Sequence, residues 1–182
     1  EASHSQEALL WDQAHGDYFE RHSVPKGERW CNAERVRARA ERLSDRPAEL
    51  PWLTVRDALA TLPDPEHNPA EASGLFGHRF QPGARSYPGH TGSPLDDAAK
   101  ALKAGVHGVP GGENMLARPD GSVRYFTVRE SARLQTFPDT YRIEGVWSEA
   151  MRQLGNAVPV TLAERVARSV ALALKSAEST KQ

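Results

Sequence analysis

The 182-residue chain contains a single cysteine, Cys31, so it cannot form an internal disulfide. Because disulfides are typical of oxidising compartments, this favours an intracellular, cytoplasmic protein. No apolar run approaches the ~18 residues of a membrane span, and the polar N-terminus does not resemble a signal peptide. We therefore predict no membrane attachment. The chain begins at Glu1 rather than at methionine, which we interpret as a trimmed or excised segment.

The chain also lacks an excess of charge of either sign, with 23 Lys and Arg residues against 24 Asp and Glu residues. This balance neither demands nor excludes a nucleic-acid partner, because a basic patch can be local. The neighbours of the histidines also lack the spacing that is typical of metal ligands. We therefore predict no metal site and assign His78, His90 and His107 to hydrogen bonding.

Capping residues and apolar spacing predict short helices in the first third of the chain. Ser5 is suited to cap a helix over residues 5–13. Arginines among alanines predict a helix from Cys31 to Leu43, whose charges favour a solvated face over one that follows DNA phosphates. Thr54 is suited to cap a further helix that ends by Leu62–Pro63. Cys31 is interpreted as a small buried residue.

The middle of the chain is rich in glycine, with nine of the fourteen glycines between Gly74 and Gly112. Glycine lets a backbone approach a ligand closely, and the side chains between these glycines can hydrogen-bond to base edges and phosphates. Composition alone supports a nucleic-acid surface and an ordinary polar loop about equally. Short strands are predicted at Ala98–Ala104 and at Val123–Phe126.

Helical signals return near the C-terminus. Thr127 and Glu130 have the spacing of a capping box, in which each residue satisfies a backbone N–H of the other. Pro138 is expected to end that helix, because proline disfavours the helical conformation in the residue before it. A second helix is expected from Trp147 to Leu154, with Gly155 as its C-terminal cap.

A final helix is expected to follow, capped by Asn156 and tolerating Pro159 in its first turn. Local physics alone describes these three helices as amphipathic elements of any globular protein. The final helix carries an apolar stripe at helical spacing, formed by Leu162, Val166, Val170 and Leu174.

These helices resemble one protein family. Thr127–Asp139 is similar to motif IX of the DNA (cytosine-5) methyltransferases, and Gln153–Pro159 is similar to motif X. Both motifs occur in the expected order and spacing, which makes the resemblance specific. It extends over most of the chain, since residues 4–13 resemble the segment after the catalytic half of some bacterial members. Residues 54–63 and 79–114 resemble the variable target recognition domain.

The resemblance implies an α+β fold with a small, irregular target recognition domain that contains short strands and a glycine-rich loop region. The C-terminal helices would pack on a Rossmann-like catalytic domain that is absent from this sequence. We expect three parts: a helical lead-in after the catalytic half (1–50), the target recognition domain (51–126), and the helices of motifs IX and X (127–182).

The activity that the resemblance implies is S-adenosylmethionine-dependent methylation of cytosine C5 in double-stranded DNA, within a bacterial restriction–modification system at the nucleoid. The cytosine must flip out of the duplex before a cysteine thiolate can attack it. The family nucleophile lies in a Pro-Cys dipeptide, whereas Cys31 follows Trp30. The Glu-Asn-Val block and the Phe-x-Gly-x-Gly cofactor loop are missing too. We therefore expect no catalytic residue here and no methyl transfer by this chain alone.

Site residues are carried over position by position. Motif X places Asn156 and Ala157 where the family contacts S-adenosylmethionine, although we do not expect the chain to bind this cofactor alone. The polar positions of motif IX are expected to fix the recognition domain against the rest of the protein; they are Thr127, Arg129, Glu130, Arg133 and Gln135. The candidate DNA-binding residues all lie in the glycine-rich stretch: Arg79, Gln81, Arg85, Lys100, Lys103 and His107.

Three functions are left open by the sequence. The first is the recognition portion of a methyltransferase, with double-stranded DNA and a catalytic half or complementary subunit as partners. The second is a non-catalytic DNA-binding module or the specificity subunit of a split enzyme, and the third is a generic helical interaction protein. The apolar stripe of the last helix needs a cover. We expect self-association through it or packing on the N-terminal helix of the same chain.

Overall fold

The computed structural model describes residues 3–30, 33–104 and 112–179. These residues contain helices and a few very short strands, which makes the architecture a mixed α and β one. The helices are α1 (Gln6–His15), α2 (Tyr18–Arg21), α3 (Glu34–Ala40), α4 (Val55–Leu59), α5 (Pro69–Ser73), α6 (Val128–Leu134), α7 (Trp147–Asn156) and α8 (Val160–Ser179). The strands are β1 (His4–Ser5), β2 (Leu50–Pro51), β3 (Ser93–Pro94), β4 (Met115–Ala117) and β5 (Val123–Tyr125).

The first helices largely follow the sequence signals. The Ser5 hydroxyl accepts the N–H of Ala8 at 3.1 Å and caps α1, as predicted. Helix α4 begins after Thr54, which forms a capping box with Asp57. Helix α3 is shorter than expected, because it begins only at Glu34 and ends at Ala40. Cys31 lies outside the described residues.

The middle of the chain forms a three-stranded sheet. Strand β4 pairs in parallel with β3 and antiparallel with β5, and β5 confirms the strand predicted after residue 122. The strand predicted at Ala98–Ala104 is wrong, since this segment is irregular. Its backbone N–H groups bond to side chains instead of a strand, at Lys100 to Ser93 (3.1 Å) and at Lys103 to Asn114 (3.2 Å).

Helix α6 confirms the predicted capping box but ends differently from the prediction. Thr136 takes a left-handed conformation, with φ +59°. The Thr136 N–H donates to the Arg133 carbonyl at 2.8 Å, and the Phe137 N–H donates to the Ala132 carbonyl at 2.9 Å. These two bonds form a Schellman motif, so the helix has already ended when the chain reaches Pro138.

Gly155 is not a cap, because α7 continues through it to Asn156. Its lack of a side chain lets another segment approach, since an added Cβ would lie 2.7 Å from the backbone nitrogen of Ala104 and 2.8 Å from the carbonyl carbon of Lys103. Asn156 likewise does not cap α8. The first N–H groups of α8 donate to the end of α6, from Val160 to the Gln135 carbonyl and from Thr161 to Thr136 Oγ1.

Helix α8 extends away from the rest of the described structure. Residues 161–178 are all exposed, and the side chains of Val166 and Leu174 retain 56% and 61% of their accessible surface. The alternative that this helix packs on the chain's own N-terminal helix is therefore wrong. No helix in the described part of the chain is both long and apolar enough to cross a membrane.

Candidate nucleic-acid interface

The start of α6 is the most deeply buried polar site in the described structure. The Thr127 hydroxyl accepts the Glu130 N–H at 3.1 Å, and the Glu130 carboxylate accepts the Thr127 N–H at 2.8 Å. Thr127 is fully buried and Glu130 retains 1% of its surface. A carboxylate in this position is stable only if another charge compensates it.

Arg124, on β5, supplies that compensation. Its two terminal nitrogens reach the two Glu130 oxygens at 2.6 and 2.8 Å, so the pair is bidentate. The Arg124 Nε lies 3.7 Å from Asp64, and Arg118 also pairs with Asp64 at 3.1 Å. Burial alone would raise the pKa of Asp64, but hydrogen bonds and the Arg124 charge hold it below the usual value. This network ties β5 and the 64–66 loop to α6.

His78 extends the network to a further segment. Its Nε2 lies 2.8 Å from the Pro63 carbonyl, which can only accept, so Nε2 carries the proton. In the neutral ring, Nδ1 then accepts from the Thr127 hydroxyl, also at 2.8 Å. His78 is fully buried and makes hydrogen bonds, as the sequence predicted. One threonine hydroxyl thus serves both the helix cap and the histidine.

Arg129 is buried beneath two surface loops and hydrogen-bonds to both of them. Its Nε donates to the Phe76 carbonyl at 3.1 Å, and one terminal nitrogen donates to the Tyr141 carbonyl at 3.0 Å. The backbone N–H of Arg129 also donates to Gly77 at 2.9 Å. Because the guanidinium is planar and rigid, it fixes both loops in one relative position.

Arg133 and Gln135 make the remaining contacts of α6. Arg133 pairs with Asp139 at 2.6 Å and donates to the Ala60 carbonyl at 2.6 Å. Its hydrogen bonds lower the pKa of the Asp139 carboxyl. The Gln135 amide donates to the Leu154 carbonyl at 3.1 Å, which connects α6 to the end of α7. All five polar positions of the sequence motif therefore bond to other residues of the chain.

The lead-in segment is tied to the glycine-rich segment through Asp96. Gln13 donates to its carbonyl at 2.7 Å, and the Tyr18 hydroxyl donates to its carboxylate at 3.0 Å. Arg56 pairs with the same carboxylate at 2.6 Å. Burial raises the pKa of Tyr18, so its hydroxyl keeps the proton that this hydrogen bond requires.

The candidate DNA-binding residues have different surroundings. Arg79, Arg85 and Lys100 are exposed, whereas Gln81 is half-buried. Lys100 lies 3.3 Å from the Thr91 hydroxyl. Lys103 forms an ion pair with Glu113 at 2.9 Å, and its hydrogen bond lowers the pKa of that carboxyl. His107 lies outside the described residues.

An exposed turn connects these candidates. Tyr87 and His90 exchange backbone hydrogen bonds, and their rings stack with centroids 4.3 Å apart. Gly89 has φ +84° after Pro88, as a type II turn requires at these two positions. Arg85 lies two residues before this turn, and the backbone N–H of Lys100 donates to the Ser93 hydroxyl of β3 at 3.1 Å.

The candidate cofactor residues lie at the junction of α7 and α8. Asn156 is the last residue of α7 and is exposed, and Ala157 is the half-buried cap residue after it. Gly155 against the 103–104 backbone and Gln135 against Leu154 fix this junction on two sides. An exposed amide can both donate and accept hydrogen bonds, so Asn156 fits one edge of a polar ligand site.

Comparison with known proteins assigns a family to this part of the chain. The family model for C-5 cytosine-specific DNA methylase matches residues 78–171, just over half of the chain. This chain belongs to that family. The matched region begins at His78 and includes the buried network of α6 together with the α7–α8 junction.

Several curated relatives match a shorter segment. The type II methyltransferase M.AplI of Arthrospira platensis is 47% identical over 64 residues, which cover 35% of this chain and 19% of that protein. M.Eco47II of Escherichia coli is 55% identical over 47 residues, or 26% of this chain and 11% of the relative. The rice DNA (cytosine-5)-methyltransferase CMT2 is 48% identical over 50 residues, or 28% and 4%. The chain thus spans less than a fifth of the length of these relatives.

Sequence reasoning missed two functional supports. Arg124 and His78 were not assigned to the α6 site, although both bond directly to the residues of its capping box. Their partners lie 6 and 49 residues away in the chain, so no helical or strand spacing links them. The capping-box glutamate was the available signal in the sequence for Arg124, because such a glutamate requires a cationic partner when it is buried.

Proposed function

We propose that this chain is the sequence-recognising portion of a DNA cytosine-5 methyltransferase. The complete enzyme transfers a methyl group from S-adenosylmethionine to C5 of a cytosine that has flipped out of duplex DNA. In this proposal residues 51–126 form the target recognition domain, and α6 to α8 join it to a catalytic half with a Rossmann-like fold.

The observation that carries the proposal is the buried network at the start of α6. Arg124, Glu130, Thr127 and His78 form one connected set of hydrogen bonds within the segment that the methylase family model matches. Reading a DNA sequence requires side chains held in fixed positions on rigid elements. Arg79 directly follows the buried His78, so the network gives the backbone that carries this exposed cation such a support.

The chemistry of the reaction depends on the complementary half. Cys31 is the only cysteine and does not follow a proline, so we assign the nucleophile to the other half. Asn156 and Ala157 would form one edge of the S-adenosylmethionine site, and the cofactor when bound supplies the methyl group. Their part is to position the cofactor against a pocket completed by the catalytic half.

The exposed apolar stripe of α8 supports a complementary partner. Leu162, Val166 and Val170 are each more than half exposed, and such a surface is covered in a stable assembly. We assign this face to the catalytic half, and self-association through the same face is the alternative for the isolated chain.

A methyl-transfer assay tests the proposal. The purified chain, mixed with duplex DNA and S-adenosylmethionine labelled on its methyl group, is expected to transfer no label. A second polypeptide that carries the Pro-Cys and Phe-x-Gly-x-Gly segments of the family is expected to restore transfer when both chains are mixed. Each polypeptide alone is the control. Label transfer by this chain alone would contradict the proposal.

A non-catalytic DNA-binding module is the second candidate, favoured by the absence of a Pro-Cys dipeptide. A gel-shift series on many duplex sequences distinguishes the two. Salt-dependent DNA binding with no methyl transfer in any mixture would favour the module. Restored transfer in the mixture would favour the methyltransferase portion.

A further inference from the structure

Three exposed residues lie on two loops that Arg129 joins, outside the motifs described above. Phe76, Tyr141 and Arg142 come from two loops far apart in the sequence, and we name them the aromatic–arginine platform. The guanidinium carbon of Arg142 lies 5.0 Å from the centre of the Phe76 ring. Phe76 and Tyr141 are 40% and 52% exposed, and Arg142 is exposed as well.

The platform is held from below by buried contacts. Arg129, which retains 5% of its surface, donates to the carbonyls of both Phe76 and Tyr141. The Tyr141 ring lies 5.0 Å from Phe137, which packs on the core formed with Ala132 and Met151. The backbone of both loops and the Tyr141 ring are therefore positioned in advance, and binding a ligand would order few additional groups.

The charge of Arg142 is not neutralised by a carboxylate in the described part of the chain. Among the residues that the structure describes, Arg142 has no ion-pair partner, whereas Arg129, Arg133 and Arg152 each pair with a carboxylate. An arginine stacked on an aromatic ring keeps its N–H donors directed outward around the plane of the guanidinium. Such a group suits a phosphate oxygen, which accepts charge-assisted hydrogen bonds.

We infer that the aromatic–arginine platform is a contact for the DNA backbone. Arg142 donates hydrogen bonds to a phosphate, and the Phe76 ring stacks against its guanidinium. This inference rests on the proposed function, because it takes duplex DNA as the partner. Arg142 lies outside the glycine-rich stretch, and a contact to a phosphate would position the duplex without reading its sequence.

The salt dependence of binding tests the inference on the full 182-residue chain. Anisotropy of fluorescent duplexes of several sequences is measured from about 50 to about 200 mM salt. Arg142→Gln is expected to lower the slope of log K against log salt by about one unit and to weaken binding by the same factor for every duplex. Arg142→Lys is expected to keep the slope but to bind more weakly, because lysine does not stack in the same way.

The matched control is Arg168→Gln, which removes an exposed arginine of α8 that pairs with Glu164. It is expected to leave the slope unchanged. Phe76→Leu is expected to weaken binding with the slope retained, because the charge remains. Unfolding in urea checks that each variant is folded.

The outcomes separate this inference from the proposed function. If the wild-type chain binds duplex DNA and Arg142→Gln leaves the salt slope unchanged, the inference is overturned but the proposed function is not. A loss that depends on the duplex sequence also overturns it, since a phosphate contact is independent of sequence. If Arg142→Gln leaves the salt slope of DNA binding unchanged but weakens binding to another protein, the inference is overturned and the platform is a contact for that protein. If the wild-type chain binds no duplex at low salt, the inference and the proposed function fail together.

Discussion

Helices α6 and α8 use their side chains in opposite ways. The polar residues of α6 and its cap are largely buried, and they bond to segments from Ala60 to Leu154. The apolar residues of α8 are exposed, and only its first turn is bonded to the rest of the described structure. The first helix completes the fold of this chain. The second presents an exposed apolar face, which the proposed function assigns to a partner.

The largest expected effect comes from Glu130→Ala, which leaves the buried Arg124 without the carboxylate that it binds through two hydrogen bonds. Removal of one member of a buried pair costs about 3–5 kcal/mol of unfolding free energy. Urea unfolding measures this loss. Glu164→Ala, in an exposed pair on α8, is the matched control and is expected to change the midpoint little. Equal effects of the two substitutions would remove the distinction between α6 and α8.

A smaller loss is expected from Gly155→Ala, at the junction that leads into α8. The new Cβ would lie 2.7 Å from the Ala104 nitrogen, so either α7 or the 103–104 segment must shift. Overpacking of this kind costs about 1–3 kcal/mol. The control is Gly27→Ala, because an added Cβ there meets no atom within 4 Å. Thermal unfolding that is unchanged by Gly155→Ala would show that the close approach is absent in solution.

Thr136→Ala tests the connection between the two helices. The substitution removes the hydroxyl that accepts the Thr161 N–H at 3.0 Å and keeps the left-handed backbone. Loss of a helix-capping side chain costs about 1 kcal/mol. Hydrogen exchange is expected to quicken in the first turn of α8 and to stay unchanged in α6. Thr136→Ser retains the hydroxyl and is expected to protect the turn; faster exchange in this variant too would contradict the capping role.

Ser131→Ala sharpens the description of α6 by removing a group that the helix does not use. The Ser131 hydroxyl is buried and has no hydrogen-bond partner among the described residues. Alanine removes this unsatisfied group and has a higher helix propensity, so a gain of about 0.5 kcal/mol is expected. Urea unfolding measures the gain. A loss of stability would indicate that the hydroxyl has a partner.

The smallest effect on unfolding is expected from the double substitution Val166→Ser and Val170→Ser on α8. Both side chains are more than half exposed, so the free energy of unfolding should hardly change. Sedimentation velocity is expected to show less self-association than in the wild type, if the isolated chain associates through this face. A large loss of stability would mean that α8 is buried within the monomer.

The sequence predicted the features of the fold that depend on neighbouring residues. The capping boxes at Thr54 and Thr127 and the cap at Ser5 are local, and each was confirmed or extended by the structure. The end of α6 was missed, because a left-handed β-branched residue such as Thr136 is rare and carries no signal in the sequence. The helix Cys31–Leu43 was predicted too long at both ends.

Features that depend on distant segments were predicted less well. Gly155 carries the signature of a helix cap, yet its role is set by the backbone of residues 103–104. Residues 98–104 were predicted as a strand, but their backbone N–H groups bond to the side chains of Ser93 and Asn114 instead of to a neighbouring strand. Local sequence does not reveal these partners. For the candidate site, the sequence singled out the polar positions of motif IX, but the partners of each became visible only in the folded chain, and their role in fixing the recognition domain stays a prediction. The DNA and cofactor assignments stay predictions.

Reconstitution of methyl transfer with wild-type and altered α8 tests the central claim most directly. The wild-type chain and a polypeptide carrying the catalytic segments of the family are mixed, and labelled methyl incorporation into duplex DNA is measured. We expect incorporation with the wild-type chain and a large loss with the Val166→Ser, Val170→Ser variant, which retains its fold. Equal incorporation with both chains, or incorporation by either polypeptide alone, would contradict the account.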